Sequence, residues 1–74
     1  MKYQDGVEMR LGDRVRIVNG DTGVVVASMD TGEFSADYPR EKCQDYGAGI
    51  LVLTDKGALV QFDEPFPQKF VFRG

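Results

Sequence analysis

The tripeptide Asp-Thr-Gly occurs twice in this chain, at Asp21–Gly23 and again at Asp30–Gly32. In an aspartic protease it presents a carboxylate that shares one proton with a second carboxylate about 3 Å away. The copies here lie at opposite ends of a predicted strand. At ~3.3 Å per extended residue they would be ~30 Å apart, so one chain cannot bring them into a dyad. A dyad from two chains would need the long apolar-glycine pattern that follows such a motif, and neither copy has it. Both read as turns, for which Asp and Gly supply the chemistry.

Cys43 is the only cysteine, and the chain has no histidine. A thiol becomes a nucleophile when a base or nearby cation stabilises its thiolate. Arg40 and Lys42 are close in sequence, but a cysteine in a short helical turn reads better as a small buried apolar side chain. With neither histidine nor a second thiol, no zinc site is expected. Asp30, Glu33, Asp37, Glu41 and Asp45 cluster in one stretch without the alternating spacing of a calcium loop. They read as solvated loop charges. No catalytic residue, cofactor or metal ligand is assigned.

Two sets of residues remain for binding. Phe34, Tyr38 and Tyr46 lie on the same stretch as Pro39. Exposed aromatics beside proline dock polyproline segments in small barrels, and they serve equally well as a lid over a barrel's open end. The cations are scattered, with only Arg10/Arg14/Arg16 and Arg40/Lys42 close in sequence, and the first three are the nucleic-acid candidates. Nucleic acid is bound chiefly by neutralising phosphate, and a chain of net charge −3 must gather its cations on one face to do so.

The elements that must position these residues are mostly strands. In Arg14-Val15-Arg16-Ile17-Val18 the apolar Val15 and Ile17 alternate with Arg14 and Arg16, the period of a strand with one buried face. Asn19-Gly20 is a strong hairpin signal, because both residues accept positive φ. Thr22–Ser28 then returns as a β-branched run. A second hairpin joins Ile50–Leu53 to Ala58–Phe62 through a turn ending in Gly57. Lys69–Arg73 alternates again, with Phe70 and Phe72 on one face, after prolines that mark a corner or an edge. Val7-Glu8-Met9 suggests a short first strand.

Between the hairpins, residues 29–48 form the one long irregular connection. Pro39 is expected at the first position of a short helical turn, where its missing N–H costs nothing, and Gly47 and Gly49 would end it. A connection of that length in a small domain is usually functional or mobile.

A chain of 74 residues makes one domain, 1–74, with a core that rarely supplies more than ~3–5 kcal/mol. Lacking a disulfide or metal, it would gain stability by associating with itself. No apolar run approaches the ~20 residues of a membrane helix. Residues Met1–Gly6 show no secretion signal, and a lone thiol points to the cytoplasm. Five or six short strands predict an all-β fold, an SH3-like or oligonucleotide-binding-type barrel or a small sandwich, and the closely spaced hairpins favour a small SH3-like antiparallel barrel with one helical turn in its long loop.

Gly12-Asp13 followed by alternating apolar residues, then Gly20 and Gly23 before a Val-rich strand, resembles the KOW motif. That motif is a strand–turn–strand unit of SH3-like barrels in ribosomal proteins and transcription elongation factors. The resemblance implies the barrel and RNA binding. The turn, however, carries Asn19, Asp21 and Thr22 in place of the Lys-rich insertion that meets RNA. Asp5–Glu8, Gly20–Val26, Asp30–Ser35 and Tyr38-Pro39 also resemble small uncharacterised bacterial proteins, some carried on mobile gene cassettes of integrons. That resemblance brings no activity with it.

These residues point to a non-enzymatic interaction module whose partner is another protein or a second copy of itself. Its recognition surface would be the long loop through Phe34, Tyr38 and Tyr46, with Phe70 and Phe72 pairing subunits. The alternatives are a nucleic-acid-binding KOW-like barrel using Arg10, Arg14 and Arg16, and a small acidic inhibitor or immunity-like protein that neutralises a basic partner.

Overall fold

Alternation along the first hairpin is realised as expected. In the computed structural model, which describes residues 2–3, 6–17, 19–62 and 71–73, β1 (Arg14–Ile17) buries Val15 and Ile17 and exposes Arg14 and Arg16. It pairs antiparallel with β2 (Thr22–Ser28), Arg14 facing Val24 and Arg16 facing Thr22. Val18 lies outside the described residues.

Asn19 does not take the positive φ that an Asn-Gly turn of two residues requires; among the described residues only glycines do, Gly20 at 94°. The Ile17 amide donates to the Asp21 carbonyl at 2.8 Å, so the strands pair from Ile17 and Asp21 and glycine stands last before the return. The second hairpin repeats this arrangement. Thr54 N–H donates to the Ala58 carbonyl at 2.8 Å, and Gly57 closes the loop at φ 87°. A three-residue loop needs its left-handed residue only at the end, which explains why each turn finishes in glycine.

The remaining strands are β3 (Glu33–Phe34), β4 (Ile50–Thr54), β5 (Leu59–Phe62) and β6 (Val71–Arg73). The sheet runs β5-β4-β2-β1-β6, with β3 added beside the second half of β2. It is a curled antiparallel sheet, a half-barrel, and the fold is all-β. The curl brings both ends of the sheet to one core: Val71 of β6 is fully buried there and Phe62 of β5 packs against it. Residues 7–9 do not form a strand. Among the described residues the segment makes an isolated bridge between Lys2 and Glu8, while Met9 is fully buried in the core.

β2 is apolar on both faces. Val25 faces Val52 and joins the main core of Tyr3, Met9, Val15, Ile17, Ile50 and Val71. The register then shifts between Val25 and Ala27, a bulge that turns Val26 and Ala27 to the opposite face, where they meet Leu51 and Cys43. The carbonyl of Val26, inside the bulge, accepts from the Ser35 amide at 3.2 Å. Met29, Phe34 and Tyr38 cover this second cluster. The long connection is thus the roof of a second small core on the far side of the sheet from the first.

Its helical part is α1 (Arg40–Cys43), followed by a 3-10 turn at Gln44–Tyr46. Pro39 caps the helix from outside, extended at φ −70°, ψ 167°, instead of occupying its first turn. A proline's fixed φ suits either position, and here it redirects the chain into the helix. Among the described residues no helix is long and apolar enough to cross a membrane.

Candidate functional site

Each of the three arginines expected on one nucleic-acid face has its own local partner. Arg10 grips Glu33 of β3 through two parallel bonds, Nε–Oε1 at 2.8 Å and Nη2–Oε2 at 2.9 Å. The Thr31 hydroxyl (2.8 Å) and the Leu11 amide (3.3 Å) donate to the same carboxylate. These bonds, Arg10's first, hold the Glu33 carboxyl down to about 2. Arg14 pairs with Asp55 in the second hairpin turn at 3.2 Å. The Thr22 hydroxyl donates to that same carboxylate, and with Arg14 it lowers the Asp55 pKa. Arg16 stacks on Phe72 of β6, 5.3 Å from the ring centroid.

Arg10 and Arg14, joined by Arg73, do border one groove of about 370 Å³. Its floor is Tyr3, whose hydroxyl donates to Asp13 at 2.8 Å and whose ring lies under Arg73 at 5.0 Å. Glu8 and Asp13 line it as well, so its charge is mixed; Arg16 takes no part. Phe72, proposed for pairing subunits, is half-buried against Arg16, and Phe70 lies outside the described residues.

Of the two Asp-Thr-Gly copies only Asp30–Gly32 is a turn; in the first, expected to be a turn as well, Asp21 follows the hairpin loop and Thr22 and Gly23 already belong to β2. Asp21 accepts from Asn19 and Lys56. Gly23 is a site of close approach: a Cβ there would stand 2.5 Å from the Leu53 carbonyl oxygen. Asp30 accepts from the Gly49 amide at 3.2 Å, and Thr31 bonds Glu33. The copies flank β2 at its two ends, as the strand spacing required. Cys43 is buried, 2% exposed, with its thiol 3.5 Å from the Tyr38 carbonyl. Among the described residues no three metal-ligating side chains gather.

The loop aromatics divide. Phe34 and Tyr38 are half-buried roof residues of the second core, whereas Tyr46 is 38% exposed. Beside Phe34 the roof is incomplete, leaving a cleft of about 260 Å³ lined by Met29, Phe34, Arg40, Cys43, Gln44 and Gly47. Helical spacing explains three of these, because residues three and four apart share a face and Arg40, Cys43 and Gln44 turn together toward β3. Gly47, at φ 78°, lets the chain leave the 3-10 turn on the far side. Gln61 of β5 then donates to the carbonyls of Tyr46 (2.9 Å) and Ala48 (3.1 Å), fastening the end of the loop to the sheet.

The Arg40 guanidinium lies over the Phe34 ring, 4.7 Å from its centroid. It forms no ion pair among the described residues, unlike Arg10, Arg14 and Lys56. The cleft therefore sets the side chains of Met29, Phe34 and Cys43 behind a mostly polar lining with one charged donor group at its edge, and no lining side chain supplies a general acid–base pair. The sequence marks Phe34 as part of a binding loop and Arg40 only as a cation near Cys43, and it gives Met29 no role. Five residues of irregular chain separate Phe34 from Arg40, and no periodicity signals that they meet.

Comparison with protein-family models, with curated proteins and with solved structures found no match for this chain.

Proposed function

We propose that the protein is a non-enzymatic protein-interaction module whose recognition surface is the cleft between β3 and α1. The observation that carries this reading is the incomplete roof. Met29, Phe34 and Cys43 back a recess at the surface whose open lining is mostly polar, and Arg40 stands at its edge. Its volume of about 260 Å³ is below the ~300–1,000 Å³ typical of small-molecule sites, which suits one or two side chains of a partner better than a nucleotide. Nucleic-acid binding through Arg10 and Arg14 would first have to break the ion pairs with Glu33 and Asp55. A reducing compartment such as the cytoplasm suits the lone thiol on the cleft wall.

The test is selection of random peptides displayed both internally and with free C-termini, using the protein and its Gln44→Trp variant as baits. Gln44 is exposed at the mouth, so a tryptophan there obstructs the cleft without entering either core. Selected peptides should share a residue motif and lose binding to Gln44→Trp at unchanged melting temperature. A selection that recovers nothing above an unrelated bait, or peptides indifferent to the variant, would overturn the reading.

A further inference from the structure

We propose that the outer edge of β5 is a self-association surface, along which a second copy of this chain adds its own β5 antiparallel about a two-fold axis at Val60. β5 ends the sheet, so one side of it faces β4 and the other faces no strand among the described residues. The Thr54 amide donates to the Ala58 carbonyl, and the pairs then run Leu53 with Leu59, Val52 with Val60, Leu51 with Gln61 and Ile50 with Phe62. Hydrogen-bonded and non-hydrogen-bonded pairs alternate along an antiparallel ladder. Val60 and Phe62 therefore direct their backbone groups to β4, whereas the N–H and C=O of Leu59 and Gln61 point outward. Among the described residues no hydrogen bond uses those four outward groups.

Sheet edges are ordinarily blunted by charge, proline, a bulge or shortness. Leu59-Val60-Gln61-Phe62 carries no charge and no proline, and it pairs with β4 over four residues without a shift of register. The other edges are shorter, β3 having two residues and β6 three, the last of them Arg73. A second copy fits this edge because β5 is its own complement. With the axis at Val60, Leu59 of each copy stands opposite Gln61 of the other, and the outward groups form four hydrogen bonds across the interface. The side chains of that pair lie on the far face of the sheet, since Leu51, opposite Gln61, belongs to the second core. There Leu59, 38% exposed, covers a Gln61 side chain that its bonds to the Tyr46 and Ala48 carbonyls already hold in place. No like charges are opposed across the axis. A four-residue edge is small beside the ~1,200–2,000 Å² of lasting interfaces, so the association is reversible and depends on concentration.

Sedimentation equilibrium over a concentration series, with amide hydrogen exchange on the same samples, tests this on the intact protein and two variants. Leu59→Pro removes an outward N–H from each copy and nothing from the β4 ladder. Leu59→Lys leaves the backbone intact and puts charge on the edge, so it carries the test if the proline disturbs the hairpin. The native protein should pass from monomer to dimer as concentration rises, and each variant should raise the dissociation constant at least about tenfold. Dilution of the native protein should speed exchange at the Leu59 and Gln61 amides and leave Val60 and Phe62, bonded to β4, unchanged. A protein that stays monomeric up to its solubility limit would overturn the proposal. So would a dimer indifferent to Leu59→Lys, an assembly that grows beyond two copies, or a dimer whose Leu59 and Gln61 amides exchange as fast as in the monomer. None of these outcomes bears on the cleft, whose own test is the peptide selection.

Discussion

Arg10 and Glu33 are 23 residues apart in sequence and meet in a two-pronged ion pair, 2.8 and 2.9 Å, that ties the segment entering β1 to β3. β1 and β3 both add to the same side of β2, one to its first half and one to its second. The pair closes the gap between them and fixes the start of the long loop. Phe34, the next residue, is thereby set beneath Arg40.

This geometry predicts an acid dependence. Glu33 has a folded pKa of about 2, below the ordinary carboxylate range, so its contribution is fully present above the ordinary value of ~4.3. It is lost as pH falls through about 2. The urea midpoint of the native protein should therefore fall more steeply between pH 5 and pH 2 than that of Glu33→Gln. The variant should be the less stable of the two at pH 7. Arg10 and Glu33 side chains are 59% and 27% exposed, so added salt should narrow the difference. Parallel midpoint curves for the two proteins would show that the clasp adds nothing.

Gly23→Ala should be among the costliest small changes outside the cores. The added Cβ would lie 2.5 Å from the Leu53 carbonyl oxygen and 2.9 Å from the Thr54 Cα, both backbone atoms. β2 and β4 would have to separate, at about 1–3 kcal/mol for an overpacked site. Urea denaturation measures this directly, and a loss within error would mean that the strands part freely at that point.

Two neighbouring residues of β4 separate the two cores. Ile50 and Leu51 are each fully buried, on opposite faces. Truncating either to alanine should cost about 2–5 kcal/mol. Only Leu51→Ala undermines the loop, so it alone should accelerate hydrogen exchange at Lys42 and Cys43 beyond the change in global stability. Equal acceleration in Ile50→Ala would mean that the roof has no core of its own.

The Cys43 thiol is 2% exposed and should react slowly with a thiol reagent in the native protein. An opening free energy of ~3 kcal/mol corresponds to suppression of more than a hundredfold relative to the unfolded chain. Rapid labelling with the fold intact would show that α1 lifts locally. Leu51→Ala should raise the native labelling rate, because it removes the surface against which Cys43 packs.

Local chemistry made much of the fold legible. Val15 and Ile17 alternate with Arg14 and Arg16, and a half-buried strand is the only regular structure with that period. Glycine at positions 20 and 57 marked both turns, although the loop length, and with it the φ of Asn19, depended on which residues paired across the strands. Of the cleft, Phe34 stood out as an aromatic on a long connection, but the partner above its ring did not.

The contiguous run Val24–Ala27 carries no sign of which side chain faces which core, since every residue in it is apolar. Pairing with β4 decides that, by placing a bulge at Val26 and turning Val26 and Ala27 to the far face. Alternation is a property of one strand and can be read from its residues. Burial on a second face, and the stacking of Arg40 on Phe34, arise only when distant segments compete for the same surface, so the tertiary structure alone decided where residues 29–48 would lie.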